Sequence, residues 1–212
     1  KTKGYHTSFF HGAPNGSMGF QSFANLVGID HYFGKTEYAN ESDSDGIWGI
    51  WDEPFLQFFG KKLDQFPQPF FSTVFTLSSH DPFKIPSDLK GKFKKGPHPI
   101  YETLSYTDYA LKRFFESIKN KPWFNNTVFV ITADHTSSHA TLPAFSNNVG
   151  RFKVPIFIYF PEHLKPRKTD INIQQIDIFP SLMALLKVEK PFLAFGKNIF
   201  DFKGNDYAIN YF

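Results

Sequence analysis

The stretch Thr127-Val128-Phe129-Val130-Ile131-Thr132-Ala133-Asp134-His135 decides the fold. Six apolar or β-branched residues run without interruption and then give way to a small residue, a carboxylate and an imidazole. An unbroken run of this length predicts a central strand covered on both faces, as in sheets whose strands are joined by helices. The polar pair at its end then lies just past the carboxyl edge of that sheet.

Similar runs recur on either side. Tyr5 to Phe10 predicts a short strand that stops at His11-Gly12-Ala13-Pro14-Asn15-Gly16, a loop rich in turn formers. Phe70 to Leu77 predicts a strand buried on both faces and ends in Ser78-Ser79-His80. Ile29 to Phe33 and Val154 to Phe160 predict two more strands, and Tyr207 to Tyr211 a closing one. Between them lie helical patterns. Gln21 to Val27 is a short one. Asp52 to Phe66 sets Phe55, Phe58, Phe59, Leu63 and Phe66 on one face, with Asp52 as N-cap and Pro67 and Pro69 as the stop. Tyr101 to Ile118 turns Leu104, Leu111, Phe114, Phe115 and Ile118 inward, and Gln174 to Leu186 does so with Ile178, Leu182, Leu185 and Leu186. Strands alternating with helices predict an α/β fold with a mostly parallel sheet flanked by helices. Ligands of such sheets bind outside the carboxyl ends of the strands. His11, His80 and Asp134-His135 each follow a predicted strand, so three strand ends would bring imidazole or carboxylate to one edge.

Composition narrows the possibilities. With 41% hydrophobic residues the chain has material for a sizeable core, and 28 Phe in 212 residues mean that much of it is built from flat rings. There are no cysteines, so disulfides and thiolate metal sites are excluded. A net charge of +3 without a basic stripe argues against nucleic acid, and the lysines between Lys84 and Lys95 read as a solvated face. No apolar run approaches the ~20 residues that span a bilayer. The sequence opens on Lys1-Thr2-Lys3-Gly4-Tyr5 without an initiator Met. The expectation is a fragment, with any membrane anchor upstream.

Each candidate residue has a chemical reading beside a plainer one. A carboxylate next to an imidazole suits Zn²⁺ or Mn²⁺, yet the dipeptide alone reads more readily as an ordinary polar loop. His80 precedes Asp81-Pro82-Phe83 and is either a donor to an anionic oxygen or a histidine fixed in a turn. His11 precedes Gly12, where a bare backbone permits close approach of a ligand. His139 stands four residues after His135, but Thr136-Ser137-Ser138 favours a loop over a helical metal pair. Ile47-Trp48-Gly49-Ile50-Trp51 reads as packing at the entrance of the Asp52 helix, with stacking on a sugar or lipid headgroup as the other reading. Glu37, Glu41, Asp43 and Asp45 read as solvated charge rather than a calcium loop.

Seven segments in order resemble the sulfatase-like lipoteichoic acid synthase family of the alkaline phosphatase superfamily. They are Phe10-His11-Gly12; Trp51-Asp52-Glu53-Pro54-Phe55; Pro69-Phe70-Phe71 leading to Leu77-Ser78-Ser79-His80-Asp81-Pro82-Phe83; Tyr106-Thr107-Asp108-Tyr109-Ala110-Leu111; Asn126 through His135; Val154-Pro155-Ile156; and Gln175-Ile176-Asp177-Ile178-Phe179-Pro180-Ser181-Leu182. The resemblance covers nearly the whole chain. It implies that Asp134 and His135 are ligands of a divalent ion, Mn²⁺ or Zn²⁺, with Mg²⁺ or Ca²⁺ as alternatives. It implies that His80 acts in catalysis and that His80, His11 and His139 contact the substrate. It places the remaining acidic ligand and a Thr nucleophile upstream, so that residues 1–212 form the C-terminal portion of a catalytic domain. The glycerol phosphate polymerases carry an acidic residue, a Trp and an Arg after the His-Gly pair, where this chain has Ala13, Met18 and Phe20. Phe20 cannot hold a phosphate as an Arg fork does.

The implied activity is a metal-dependent transfer of a phospho-alcohol group, or hydrolysis of a phosphate or sulfate ester, on the outer face of a cell membrane. The partner is then an anionic ester, a lipid headgroup among them. The alternatives are an inactive binding domain that keeps the fold and a plain sulfatase with a Cys or Ser nucleophile upstream.

Overall fold

A computed structural model describes residues 4–204 and 207–209. The chain divides into two compact units, Lys1–Phe124 and Asn125–Phe212.

The first unit is built on a parallel sheet. Its elements are β1 (His6–His11), α1 (Phe20–Leu26), β2 (His31–Phe33), α2 (Lys35–Tyr38), α3 (Asp52–Leu63), β3 (Phe70–Phe75) and α4 (Ile100–Ile118). The strand order is β2-β1-β3, and both pairings are parallel. The central place thus falls to β1, whose Phe10 is completely buried. Phe10 stacks on Phe33 of β2 at 4.4 Å and meets Phe59 of α3 edge-on at 4.8 Å. Such offset and edge-to-face contacts add to the burial itself. Helix α3 then lies on α4 through Phe59 and Phe114, whose ring centres are 5.6 Å apart. Gly60 lets the backbones close up, since a Cβ there would stand 3.2 Å from Ile118 Cγ2.

Two expectations about burial in this unit need correction. β3 alternates between half-buried and exposed positions, and Phe71 is 50% exposed. Among the described residues it is an edge of the three-stranded sheet, and its alternation marks one face as the more open. In α4 the buried stripe is Ile100, Thr103, Tyr106, Ala110, Phe114 and Ile118, while Leu104 faces solvent at 50% exposure. The stripe is rotated because Tyr106 goes inward, where its hydroxyl accepts the Glu53 N–H at 3.2 Å. Thr103 is satisfied by donating to the Ile100 carbonyl at 2.9 Å.

The second unit has β4 (Phe129–Thr132), α5 (Pro143–Ser146), β5 (Ile156–Tyr159) and α6 (Ile178–Leu185). Here the Thr127–Thr132 segment is not a central parallel strand. It forms a two-stranded sheet with β5, antiparallel, with Phe129 opposite Tyr159 and Thr132 opposite Ile156. The residues between them hold the single turn of α5 and a short 3₁₀ turn, without the long helix that usually carries a crossover to a parallel neighbour. The predicted helix over Gln174–Leu186 begins as a 3₁₀ turn, Gln175–Asp177, before α6. A polar hub holds it. Asp177, 3% exposed, accepts the Gln174 and Lys197 N–H groups at 2.8 Å each. Ser181, fully buried, donates to the Asp177 carbonyl at 2.6 Å and accepts the Ile199 N–H at 3.1 Å. Tyr207 to Ile209 form no strand, and the rest of the predicted closing strand lies outside the described residues. No helix among the described residues is long and apolar enough to cross a membrane.

Candidate metal and substrate site

The predicted site residues fall in both units: His11 and His80 in the first, Asp134, His135 and His139 in the second. In the first unit the parallel register places His11 beside Phe75, so β1 and β3 end at one edge. His80 follows on the loop after β3.

That loop is held from two sides. Asp52, expected to cap its own helix, instead occupies the first helical position, with Trp51 at the N-cap. Its buried carboxylate turns away from α3 and accepts the Leu77 N–H at 2.7 Å, the Ser78 N–H at 3.0 Å and the Thr107 hydroxyl at 2.9 Å. Ser78 reciprocates by accepting the Asp52 N–H at 3.0 Å. Burial pushes the Asp52 carboxyl up, while these hydrogen bonds pull it the other way. On the other side stands Trp48, half-buried. Its indole ring lies 4.1 Å from the His80 ring, and its N–H donates to the Asp81 carbonyl at 2.5 Å. Asp45 in turn accepts the N–H groups of Ile47, Trp48 and Gly49 through one oxygen, at 2.7, 2.8 and 3.0 Å. This acidic side chain closes a turn, as Glu37 does on the Gly34 N–H. The His80 ring itself is exposed, with Nδ1 3.3 Å from the Asp81 carbonyl.

His11 is the last residue of β1 and is completely buried. Phe20 and Phe75 meet its ring edge-on at 4.8 and 5.5 Å. Nδ1 lies 3.3 Å from the Tyr32 hydroxyl, and Nε2 has no hydrogen-bond partner. Desolvation lowers its pKa from 6.5 to about 4, so the ring is neutral near pH 7.

In the second unit Asp134 and His135 leave the end of β4 together. Asp134 Oδ1 accepts the His135 N–H at 2.9 Å, and Oδ2 stands 3.5 Å from His135 Nε2. His135 Nδ1 is 2.7 Å from the Thr136 carbonyl. A carbonyl only accepts, so Nδ1 carries a proton, and Nε2 is the nitrogen that the neutral ring would offer to a cation. Thr136 is itself tied down, its hydroxyl donating to the Arg151 carbonyl. Gln175 Nε2 donates to the carbonyls of Ala133 at 2.6 Å and Asp134 at 3.3 Å. His139 lies in a turn with its N–H donating to Ser137 Oγ at 3.0 Å, and no helix joins it to His135.

These residues fit a divalent cation. Two donors each about 2.1 Å from a tetrahedral ion stand about 3.4 Å apart, close to the 3.5 Å between Oδ2 and Nε2. Among the described residues no group of three or more His, Asp or Glu stands together, so the pair supplies two donors and no third. Sequence reading missed Thr136, Gln175 and Trp48 as supporting residues. The only signal for Gln175 was an amide side chain opening the turn before a helix.

Comparison with known proteins places this arrangement in context. The chain is 28% identical to the lipoteichoic acid synthase-like YvgJ of Bacillus subtilis, over 99% of this chain and 37% of that protein. It is 30% identical to phosphoglycerol transferase I of Salmonella typhi, over 71% of this chain and 21% of that protein. It thus spans well under half the length of either. A protein in the alkaline phosphatase superfamily from Vibrio parahaemolyticus superposes with a TM-score of 0.80 at 28% identity, covering 96% of this chain and 50% of that one. The Sulfatase family model matches residues 1–188, and the chain belongs to that family.

Proposed function

We propose that this chain carries the metal-binding and phosphate-contacting part of an enzyme that transfers a phospho-alcohol group, or hydrolyses a phosphate or sulfate ester, on the outer face of a cell membrane. The observation that carries the reading is the Asp134–His135 pair, with Oδ2 and Nε2 3.5 Å apart and Nδ1 turned to the Thr136 carbonyl. Similarity to phosphoglycerol transferase I supports a phospho-alcohol as the group moved.

Asp134 Oδ2 and His135 Nε2 would hold the cation, Mn²⁺ or Zn²⁺ by the hardness of their donor atoms. When bound, such an ion supplies positive charge against the ester's anionic oxygens and lowers the pKa of a hydroxyl nucleophile. That nucleophile, a Thr or Ser, is proposed to lie outside residues 1–212 and to form the covalent intermediate. His80 contacts the ester from the exposed turn. Its Nδ1 faces a carbonyl, so it protonates a leaving oxygen only from the imidazolium form, through Nε2. His11 has a buried Nε2 without a partner, and as an N–H it would gain from meeting an anionic oxygen. His139 is proposed as a further contact to the anionic group.

The test is turnover of a glycerol phosphate ester by the full-length enzyme with and without added Mn²⁺. Asp134→Ala is expected to remove metal-dependent turnover. Unchanged turnover in that variant, with metal still bound, overturns the reading.

A further inference from the structure

The peptide segment that carries the metal pair is fixed by a side chain from another part of the second unit. Gln175 Nε2 meets the carbonyl of Ala133 at 2.6 Å and that of Asp134 at 3.3 Å. An amide nitrogen has two hydrogens, and these two carbonyls use both. Those carbonyls lie just past the end of β4 at Thr132, where the chain must bring Asp134 and His135 to the same side. The Asp134 carboxylate's own bond is local, to the adjacent His135 N–H, so it does not tie this backbone to another element.

Gln175 is in turn held in place. It opens the 3₁₀ turn closed by Asp177, whose buried carboxylate accepts the N–H groups of Gln174 and Lys197. Ser181 ties the same turn to Ile199. The hub is buried, while Gln175 itself is exposed and covers no core. Its hydrogen bonds therefore contribute little to stability, and their geometric consequence falls on the 133–134 peptide.

From this geometry we infer that Gln175 is a positioning residue for the metal pair: by clamping the carbonyls of Ala133 and Asp134, it sets the separation of Asp134 Oδ2 and His135 Nε2. The inference rests on the proposed function, in which that pair holds the cation. Groups that orient metal ligands cost about 10- to 100-fold in affinity when removed.

The experiment titrates the full-length protein with Mn²⁺ alone, counting free ion by its paramagnetic resonance signal, and follows the thermal midpoint of the metal-free protein in parallel. Gln175→Leu keeps the side-chain bulk without the donors, and Gln175→Glu keeps the length but puts an acceptor against two carbonyls. Both are expected to weaken Mn²⁺ binding at least tenfold with the metal-free midpoint nearly unchanged. Glu is the sharper variant, because a negative charge near the ion would tighten binding if Gln175 were a ligand or acted through charge. Tighter binding in Gln175→Glu, or wild-type binding in Gln175→Leu, overturns the positioning role. Asp134→Ala separates the two levels of the argument. If it abolishes binding while Gln175→Leu leaves binding intact, only the inference fails. If Asp134→Ala binds Mn²⁺ like the wild type, the metal assignment fails and the inference falls with it.

Discussion

Every buried hydrophobic side chain among the described residues belongs to the first unit, from Phe10 to Phe124. The buried positions of the second are small or polar: Gly150, Pro161, Asp177, Pro180 and Ser181. Its strands leave Phe157 60% and Tyr159 45% exposed. The first unit is thus held by ring packing on a parallel sheet, the second by a hydrogen-bonded hub and a two-stranded ribbon. The metal pair lies in the second. A site whose geometry is set by directional hydrogen bonds rather than by packing depends on individual polar groups, and the two units should answer substitution differently.

The largest effect is expected at Asp52, where the first unit does rely on a polar group. Asp52→Ala leaves the buried N–H groups of Leu77 and Ser78 without an acceptor, at about 1–3 kcal/mol each, for a total near 4 kcal/mol. Asp52→Asn keeps one oxygen for those two groups and offers Thr107 a donor, so its cost should be under about 1 kcal/mol. All three tryptophans, Trp48, Trp51 and Trp123, lie in the first unit, so urea unfolding followed by their fluorescence reads that unit alone. Equal losses in the two variants would show that the carboxylate's charge, not its acceptor geometry, matters.

A smaller effect is pH-dependent and again confined to the first unit. Burial holds the His11 imidazole at about 4 against 6.5 for the ordinary group. Between these values the unfolded chain takes up a proton that the folded unit refuses. Stability is therefore fully present above pH 6.5 and lost as the pH falls towards 4, by up to about 3 kcal/mol from this group. The urea midpoint gap between wild type and His11→Gln should shrink between pH 7 and pH 4.5. Parallel curves would mean that water reaches the ring.

The smallest effect is expected in the second unit's strands. Phe157→Ala removes an exposed ring and should change stability by less than about 0.5 kcal/mol. A thermal loss of several degrees would show that β5 is covered in solution and would erase much of the contrast between the units.

The sequence made the parallel layer and its helices legible because Phe10, Phe55, Phe59 and Phe114 recur with strand or helix periodicity and are buried where that periodicity puts them. It misplaced β4 for the same reason. Val128 to Thr132 has the apolar run of a covered strand, but pairing direction depends on what connects the strands, and residue type does not record that. Leu104 was turned inward on hydrophobicity, whereas the hydroxyl of Tyr106 and its Glu53 partner set the rotation of α4. Within the candidate site, His80, Asp134 and His135 were visible as polar residues at strand ends. Gln175, Thr136 and the carboxylate of Asp52 act through backbone groups distant in sequence, and no local pattern announces such partners.

The central claim is that Asp134 and His135 hold one divalent ion, and its most direct test is spectroscopic. The full-length protein is labelled with ¹⁵N-histidine, loaded with Mn²⁺, and examined by electron–nuclear double resonance for ¹⁵N coupling to the ion. The account predicts a directly bound imidazole nitrogen whose coupling disappears in His135→Gln, and weaker Mn²⁺ retention in Asp134→Ala. A coupling that survives in His135→Gln would assign the ion to another histidine and contradict the account.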